Sequence, residues 1–141
     1  MPDLRRLRES RAVSEGGLSV ILRSDDYESV HYGLALAAAA LAVNKPAVLF
    51  FTMGGIRALQ GSPPALRDWE RDAGNRARGV GDFETLLQAC VELGARLIVC
   101  EMGLRSLDID RASLRADVPF TVAGIVTLLE ETKPGMHLVS L

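Results

Sequence analysis

The chain has 141 residues, 48% of them hydrophobic, and its sixteen Lys and Arg against eighteen Asp and Glu leave a formal net charge of -2. That is the length of one domain with enough apolar mass for a core, and so small a net charge sets up no field that would draw it to nucleic acid or to an anionic membrane. Two cysteines, Cys90 and Cys100, both in apolar surroundings, read against a disulfide-stapled secreted scaffold and for a reduced compartment, the cytoplasm.

The opening stretch, residues 1–16, mixes Arg5, Arg6, Arg8 and Arg11 with Asp3, Glu9 and Glu15, has no apolar period and runs into Gly16 and Gly17. It is expected to be a flexible tail or an oligomer contact, ahead of a single domain over 17–141. No export signal is expected in it, and the most apolar segment, from Tyr32, is too short to span a bilayer. "LSVILRS" from Leu18 reads as a strand, and Tyr27 to about Val43 as a helix with Val30, Leu34, Ala37 and Leu41 on one face and Asp25 or Asp26 as its cap. "PAVLFFTM" from Pro46 is a second strand, apolar throughout as strands covered on both faces are, followed by a short helix over Ile56 to Leu59.

The next stretch, "QGSPPALRDWERDAGNRARGVG", has the Gly, Pro and charge content of a long excursion with one helical turn around Trp69. Asp82 then caps a helix with Leu86, Leu87, Cys90 and Leu93 on one face and Gly94 as its stop, and "ARLIVCEM" is a third strand. A short helix over Ser106 to Leu114, an extended "DVPF" and a long helix "TVAGIVTLLEET" with Val122, Ile125, Val126 and Leu129 inward lead to a closing strand, "MHLVSL". Alternation of strand and helix with right-handed crossovers gives a three-layer α/β/α sandwich with a mostly parallel sheet of about five strands.

In such sheets ligands and chemistry gather beyond the carboxyl ends of the strands, and Cys100 is the last or next-to-last residue of strand three. Cys90, on the buried face of a helix, reads as a small core hydrophobe. In order along the chain, "LSVILRSDD", "VLFFTMGGIRAL", "LLQACVELGARLIVCEMGLRSLDI" and "VAGIVTLLEE" resemble the DsrE/DsrF-like, YchN-like family of small sulfur-relay proteins over about Leu18 to Leu141. The resemblance implies an α/β/α subunit that assembles into homotrimers or hexamers. It also implies a cysteine that carries sulfane sulfur as a persulfide and exchanges it with small carriers of the TusA type. Cys100 matches the cysteine of the family's "C-x-M-S-M" segment and Met102 its first methionine, while Gly103 and Leu104 stand in place of the serine and the second methionine.

The physical requirements of sulfur transfer apply to Cys100 on their own terms. The attacking group is a thiolate, so the thiol must be partly exposed and its charge supported, here by the N-terminus of a helix near Gly103 and Leu104 and by Arg105, while Glu101 points to the other side of the strand. His31, in the first helix at the same edge, is a candidate proton donor or acceptor, with a surface or oligomer-contact histidine as the plain alternative; His137 is structural. "TMGGI" offers backbone N–H groups that, with Asp25, Thr52, Gly54 and Gly55, form a candidate anion or ligand cleft, although the P-loop lysine and G-x-G-x-x-G are absent. With two histidines and no paired-cysteine motif, no metal site and no resident cofactor are expected. The readings are thus a sulfur carrier working through Cys100, or a non-catalytic oligomeric ligand-binding or scaffold protein of the same fold; a peroxide-reactive thiol lacks a resolving partner.

Overall fold

The computed structural model describes residues 16–141; of the expected tail over 1–16, all but Gly16 lies outside the described residues. Five strands, β1 (Leu18–Leu22), β2 (Ala47–Phe51), β3 (Arg96–Cys100), β4 (Phe120–Ala123) and β5 (His137–Ser140), form one sheet in the order β4-β3-β2-β1-β5. Every pairing is parallel, with Leu18 opposite both Ala47 and His137, and Cys100 opposite Ala123. The helices are α1 (Tyr27–Ala42), α2 (Arg71–Ala77), α3 (Phe83–Glu92), α4 (Glu101–Ser106) and α5 (Ile125–Glu131), with 3-10 segments over Met53–Leu59 and Arg111–Ser113.

Strand order fixes the layers. The connections β1 to β2, β2 to β3 and β3 to β4 all step the same way across the sheet, so right-handed crossovers place them on one face. Only β4 to β5 steps back, which sends α5 alone to the other face. Period-two alternation then sorts the strand residues: Val20, Leu22, Leu49, Phe51, Leu97 and Val99 join the large core under α1 and α3. Val48, Phe50, Ile98 and Cys100 join a second, small core with Leu128 of α5.

The long helix begins where Asp26 caps it, its carboxylate accepting from the Ser29 N–H at 3.2 Å, and Val30, Leu34 and Ala37 of the expected face are fully buried. Asp82 likewise caps α3 through the Thr85 N–H at 2.9 Å, while Leu93, expected inward, is 52% exposed just past the helix end. Three boundaries differ from the sequence pattern. The helix expected over Ser106 to Leu114 is instead α4, which starts directly after Cys100, plus the Arg111–Ser113 turn. The helical turn expected around Trp69 falls at Arg71–Ala77. The strand expected at "DVPF" is Phe120–Ala123, so the last helix keeps only seven residues. Val122 consequently packs inward from a strand, Leu128 is the buried residue of α5, and Ile125, Val126 and Leu129 are 46, 70 and 57% exposed. A β-branched run reads as either element until its neighbour is known, and the open edge of β3 decided for the strand.

The excursion between β2 and β3 is held down by a buried carboxylate. Asp72, 3% exposed, accepts from the Tyr27 hydroxyl at 2.5 Å, the Phe83 N–H at 2.8 Å and Arg76 at 3.2 Å. Trp69 packs edge-on against both Tyr27 and Phe83, which closes the apolar side of the same joint. Burial, with the bond to Asp72, pushes the Tyr27 hydroxyl up to about 12 from an ordinary 10.0. A raised folded value in a group that is neutral when protonated contributes stability that is complete below pH 10 and is lost as pH rises toward 12. Asp72→Ala strands the Phe83 and Tyr27 donors and is expected to lower unfolding free energy by about 2–5 kcal/mol. Tyr27→Phe is expected to cost less and to flatten the loss of stability between pH 10 and 12; urea denaturation across that range measures both.

Candidate functional site

Cys100 ends β3, the strand between β2 and β4, and is at once the N-cap residue of α4. Its backbone is still extended, at φ -71° and ψ 120°, and its Sγ accepts no bond from the first turn of α4. The thiol is completely buried, packed in the small core with Val48, Phe50, Ile98 and Leu128. The partial exposure that sulfur transfer asks for is therefore not met in the single chain, where the thiol shares the small core with Leu128 of α5. That layer is thin: α5 has two turns, one buried residue in Leu128, a tether in which the Ser19 and Thr132 hydroxyls meet at 2.6 Å, and the part-exposed Arg96–Glu131 ion pair. Elements with so few buried apolar contacts open locally at the low end of the stability range.

Cys90 lies on the other side of the sheet in the large core, where its thiol donates to the Leu34 carbonyl at 3.4 Å and burial pushes it up to about 11. The sheet thus separates the two sulfurs. His31 does not reach Cys100 either. Its Nε2 is 2.7 Å from the Gly81 carbonyl and its ring stacks on Tyr27, centroids 5.4 Å apart, on the α1 face. Arg105 is turned to solvent and bonded to Glu101 at 2.6 Å, one helical turn back, so its charge serves α4 and not the thiol. Met102 is half exposed beside it.

Gly103 has a packing reason. A Cβ there would lie 2.7 Å from the Met53 nitrogen and 2.8 Å from Ile56 Cδ1, so α4 sits directly on the 3-10 turn after β2, with no room for the family's serine. Gly55 is just as tight, since a Cβ would run into the Leu22 carbonyl. The two contacts draw the ends of β1, β2 and β3 together.

The expected cleft at Asp25, Thr52, Gly54 and Gly55 forms only in part. The Thr52 N–H donates to the Leu22 carbonyl and the Gly55 N–H to the Thr52 carbonyl, each at 2.9 Å, so neither is offered to an anion. Thr52 and Gly55 are buried. Asp25 and Gly54 do line a cleft of 640 Å³, with Arg23, Ser24, Arg57 and Leu107. Cys100 is not part of it. Sequence reasoning passed over Arg23 and Arg57, although Arg23 stands one residue beyond β1, at the edge where ligands gather. It also missed Leu128 as the thiol's neighbour in the small core, because an outward helical face was read as the inward one. Among the described residues no three His, Cys, Asp or Glu side chains gather where they would hold a metal ion, and no helix is long and apolar enough to cross a membrane.

The fold and site define a class: a small α/β protein with an all-parallel five-stranded sheet and a thiol at the carboxyl end of an interior strand. Its architecture is similar to that of the ychN protein from E. coli, with a TM-score of 0.62 at 13% identity over 90% of this chain and 98% of that one. No sequence among curated proteins matches it. Residues 19–141 match the DsrE/DsrF-like family, and the chain belongs to that family.

If α5 is the cover, Leu128→Ala is expected to raise the rate at which a thiol reagent labels Cys100 in the folded protein by at least about 10-fold, with Cys90 still unlabelled. Gly103→Ser is expected to destabilise by about 1–3 kcal/mol through the clash with Met53. Mass mapping of the labelled cysteine and chemical denaturation measure these.

Proposed function

We propose that the protein is a sulfur carrier of the DsrE/DsrF-like family that accepts and passes sulfane sulfur on Cys100. The observation that carries this reading is the position of Cys100 at the carboxyl end of β3, in a chain that belongs to a family of sulfur-relay type. In the step required, the Cys100 thiolate attacks the terminal sulfur of a donor persulfide. The donor's sulfur–sulfur bond breaks, the donor leaves as a thiolate, and Cys100 holds the persulfide with no net oxidation. Attack on that persulfide by the thiolate of an acceptor, a small TusA-like carrier, reverses the same chemistry. Both steps need α5 to swing away from Leu128's seat, which makes opening of α5 the gate of the cycle.

Self-association belongs to the same proposal. Ile125, Val126, Leu129 and Leu138 are exposed on α5 and β5, and the register puts Leu138 on the α5 face beside Ser19. Large apolar side chains concentrated on one thin layer favour a homotrimer or hexamer that covers them. A second reading, a non-catalytic oligomeric binding or scaffold protein, is favoured by the complete burial of the thiol.

After incubation with a small-molecule persulfide, intact-mass measurement is expected to show one added sulfur atom on the wild-type chain and none on Cys100→Ser. A wild-type chain that never gains sulfur, together with a Leu128→Ala chain that gains none either, leaves the scaffold reading. Sedimentation is expected to give a trimer or hexamer that Val126→Asp dissociates; a monomeric wild type overturns the assembly.

A further inference from the structure

We propose that the cleft at the carboxyl ends of β1 and β2 binds a small tetrahedral oxyanion between the guanidinium groups of Arg23 and Arg57. The cleft holds 640 Å³ and is walled by the turn after β1, the first turn of α1, the 3-10 segment after β2 and Leu107 at the end of α4. Its position is where parallel sheets present their ligands, beyond the strand ends.

Four of the ten described arginines reach no carboxylate; Arg78 bonds the Gly74 carbonyl and Arg111 lies over the Phe120 ring, both outside the cleft, while Arg23 and Arg57 share it. Arg67, Arg71, Arg76, Arg96, Arg105 and Arg115 each reach a carboxylate. Arg57 has only the neutral Gln60 Oε1, at 3.3 Å, and the Arg23 side chain has no partner among the described residues. Two cations without carboxylates thus line one concavity in a protein of net negative charge.

The neighbouring acidic groups are already engaged. Asp25 is held by Arg67 at 2.7 Å, Asp26 accepts from the N–H and the hydroxyl of Ser29, and Glu28 is paired with Arg71. The backbone oxygen of Leu141, at the rim, accepts from the backbone N–H of Arg23 at 3.2 Å. Ser24 supplies a hydroxyl whose oxygen accepts the Asp26 N–H at 3.0 Å, which leaves its O–H to donate into the cleft. A guanidinium presents a planar fork of donors that matches two oxygens at once, so sulfate, thiosulfate and phosphate share the chemistry these groups recognise.

The site does not depend on sulfur transfer. Cys100 packs in the small core on the α5 side and is not in the cleft wall, so Cys100→Ser leaves oxyanion binding intact whichever way the carrier reading falls.

Isothermal titration calorimetry of the full chain with sodium sulfate, sodium thiosulfate and sodium phosphate, chloride balancing the ionic strength, tests the proposal. Saturable binding of one anion per chain is expected. Arg23→Gln and Arg57→Gln should each weaken it at least about 10-fold, the double variant should abolish it, and Arg78→Gln, outside the cleft, should not change it. Circular dichroism checks that each variant is folded. Selective binding of thiosulfate points to a sulfur oxyanion, and selective binding of phosphate to a phosphoryl group. Heats that never saturate with any of the three anions, or a folded double variant that binds as the wild type does, overturn the proposal.

Discussion

The handedness of parallel crossovers is the constraint on which the rest of this structure depends. With strands in the order β4-β3-β2-β1-β5, three connections travel one way and one travels back. The outward journeys pile α1, α3 and the excursion onto one face, and the return leaves the other face to the seven residues of α5. A large core and a small one follow, together with an apolar outer surface on the thin side. Because side chains alternate along a strand, Cys100 belongs to the small core and Val99 to the large one. A shift of one residue would have exchanged them.

That inequality gives each cysteine its character. Cys90 sits deep in the well-covered layer, its thiol bonded to a helix carbonyl and pushed up to about 11, which makes it inert at neutral pH. Cys100 is equally hidden, but shares its small core with an element that holds on through Leu128, a hydroxyl pair and the part-exposed Arg96–Glu131 ion pair. Equal burial therefore means different access. The thick side also carries the Tyr27–Asp72–Phe83 joint, which turns what reads as a loose excursion into part of the wall over α1. His31 is drawn into that wall by Tyr27 and Gly81, away from the thiol.

At the carboxyl edge two glycines set the spacing. Gly55 against Leu22 and Gly103 against Met53 let the 3-10 turn and α4 close over the strand ends. The Thr52 and Gly55 N–H groups are taken up by backbone carbonyls in this closure, and the positive charge of the edge comes from side chains, Arg23 and Arg57. The thiol and the arginine cleft emerge on different sides of this closure, and the edge holds two separate chemical environments where one was expected.

The sequence by itself determined the class of fold, the strands through Cys100, the two helix caps and the family. These rest on local signals: apolar runs bounded by turn residues, Asp25 or Asp26 and Asp82 ahead of helical periods, and motifs in a fixed order; the structure settles the first cap on Asp26. It did not determine the strand at Phe120–Ala123, the outward face of α5 or the partners of His31, Arg105 and Thr52, each of which depends on a neighbour distant in the chain. Phe120 to Ala123 became a strand because β3 offered an unpaired edge, and α5 turned Ile125, Val126 and Leu129 outward because the single return crossover left only Leu128 a seat. Local periodicity states that a residue has an apolar side to bury; only the tertiary structure decides which surface is there to receive it.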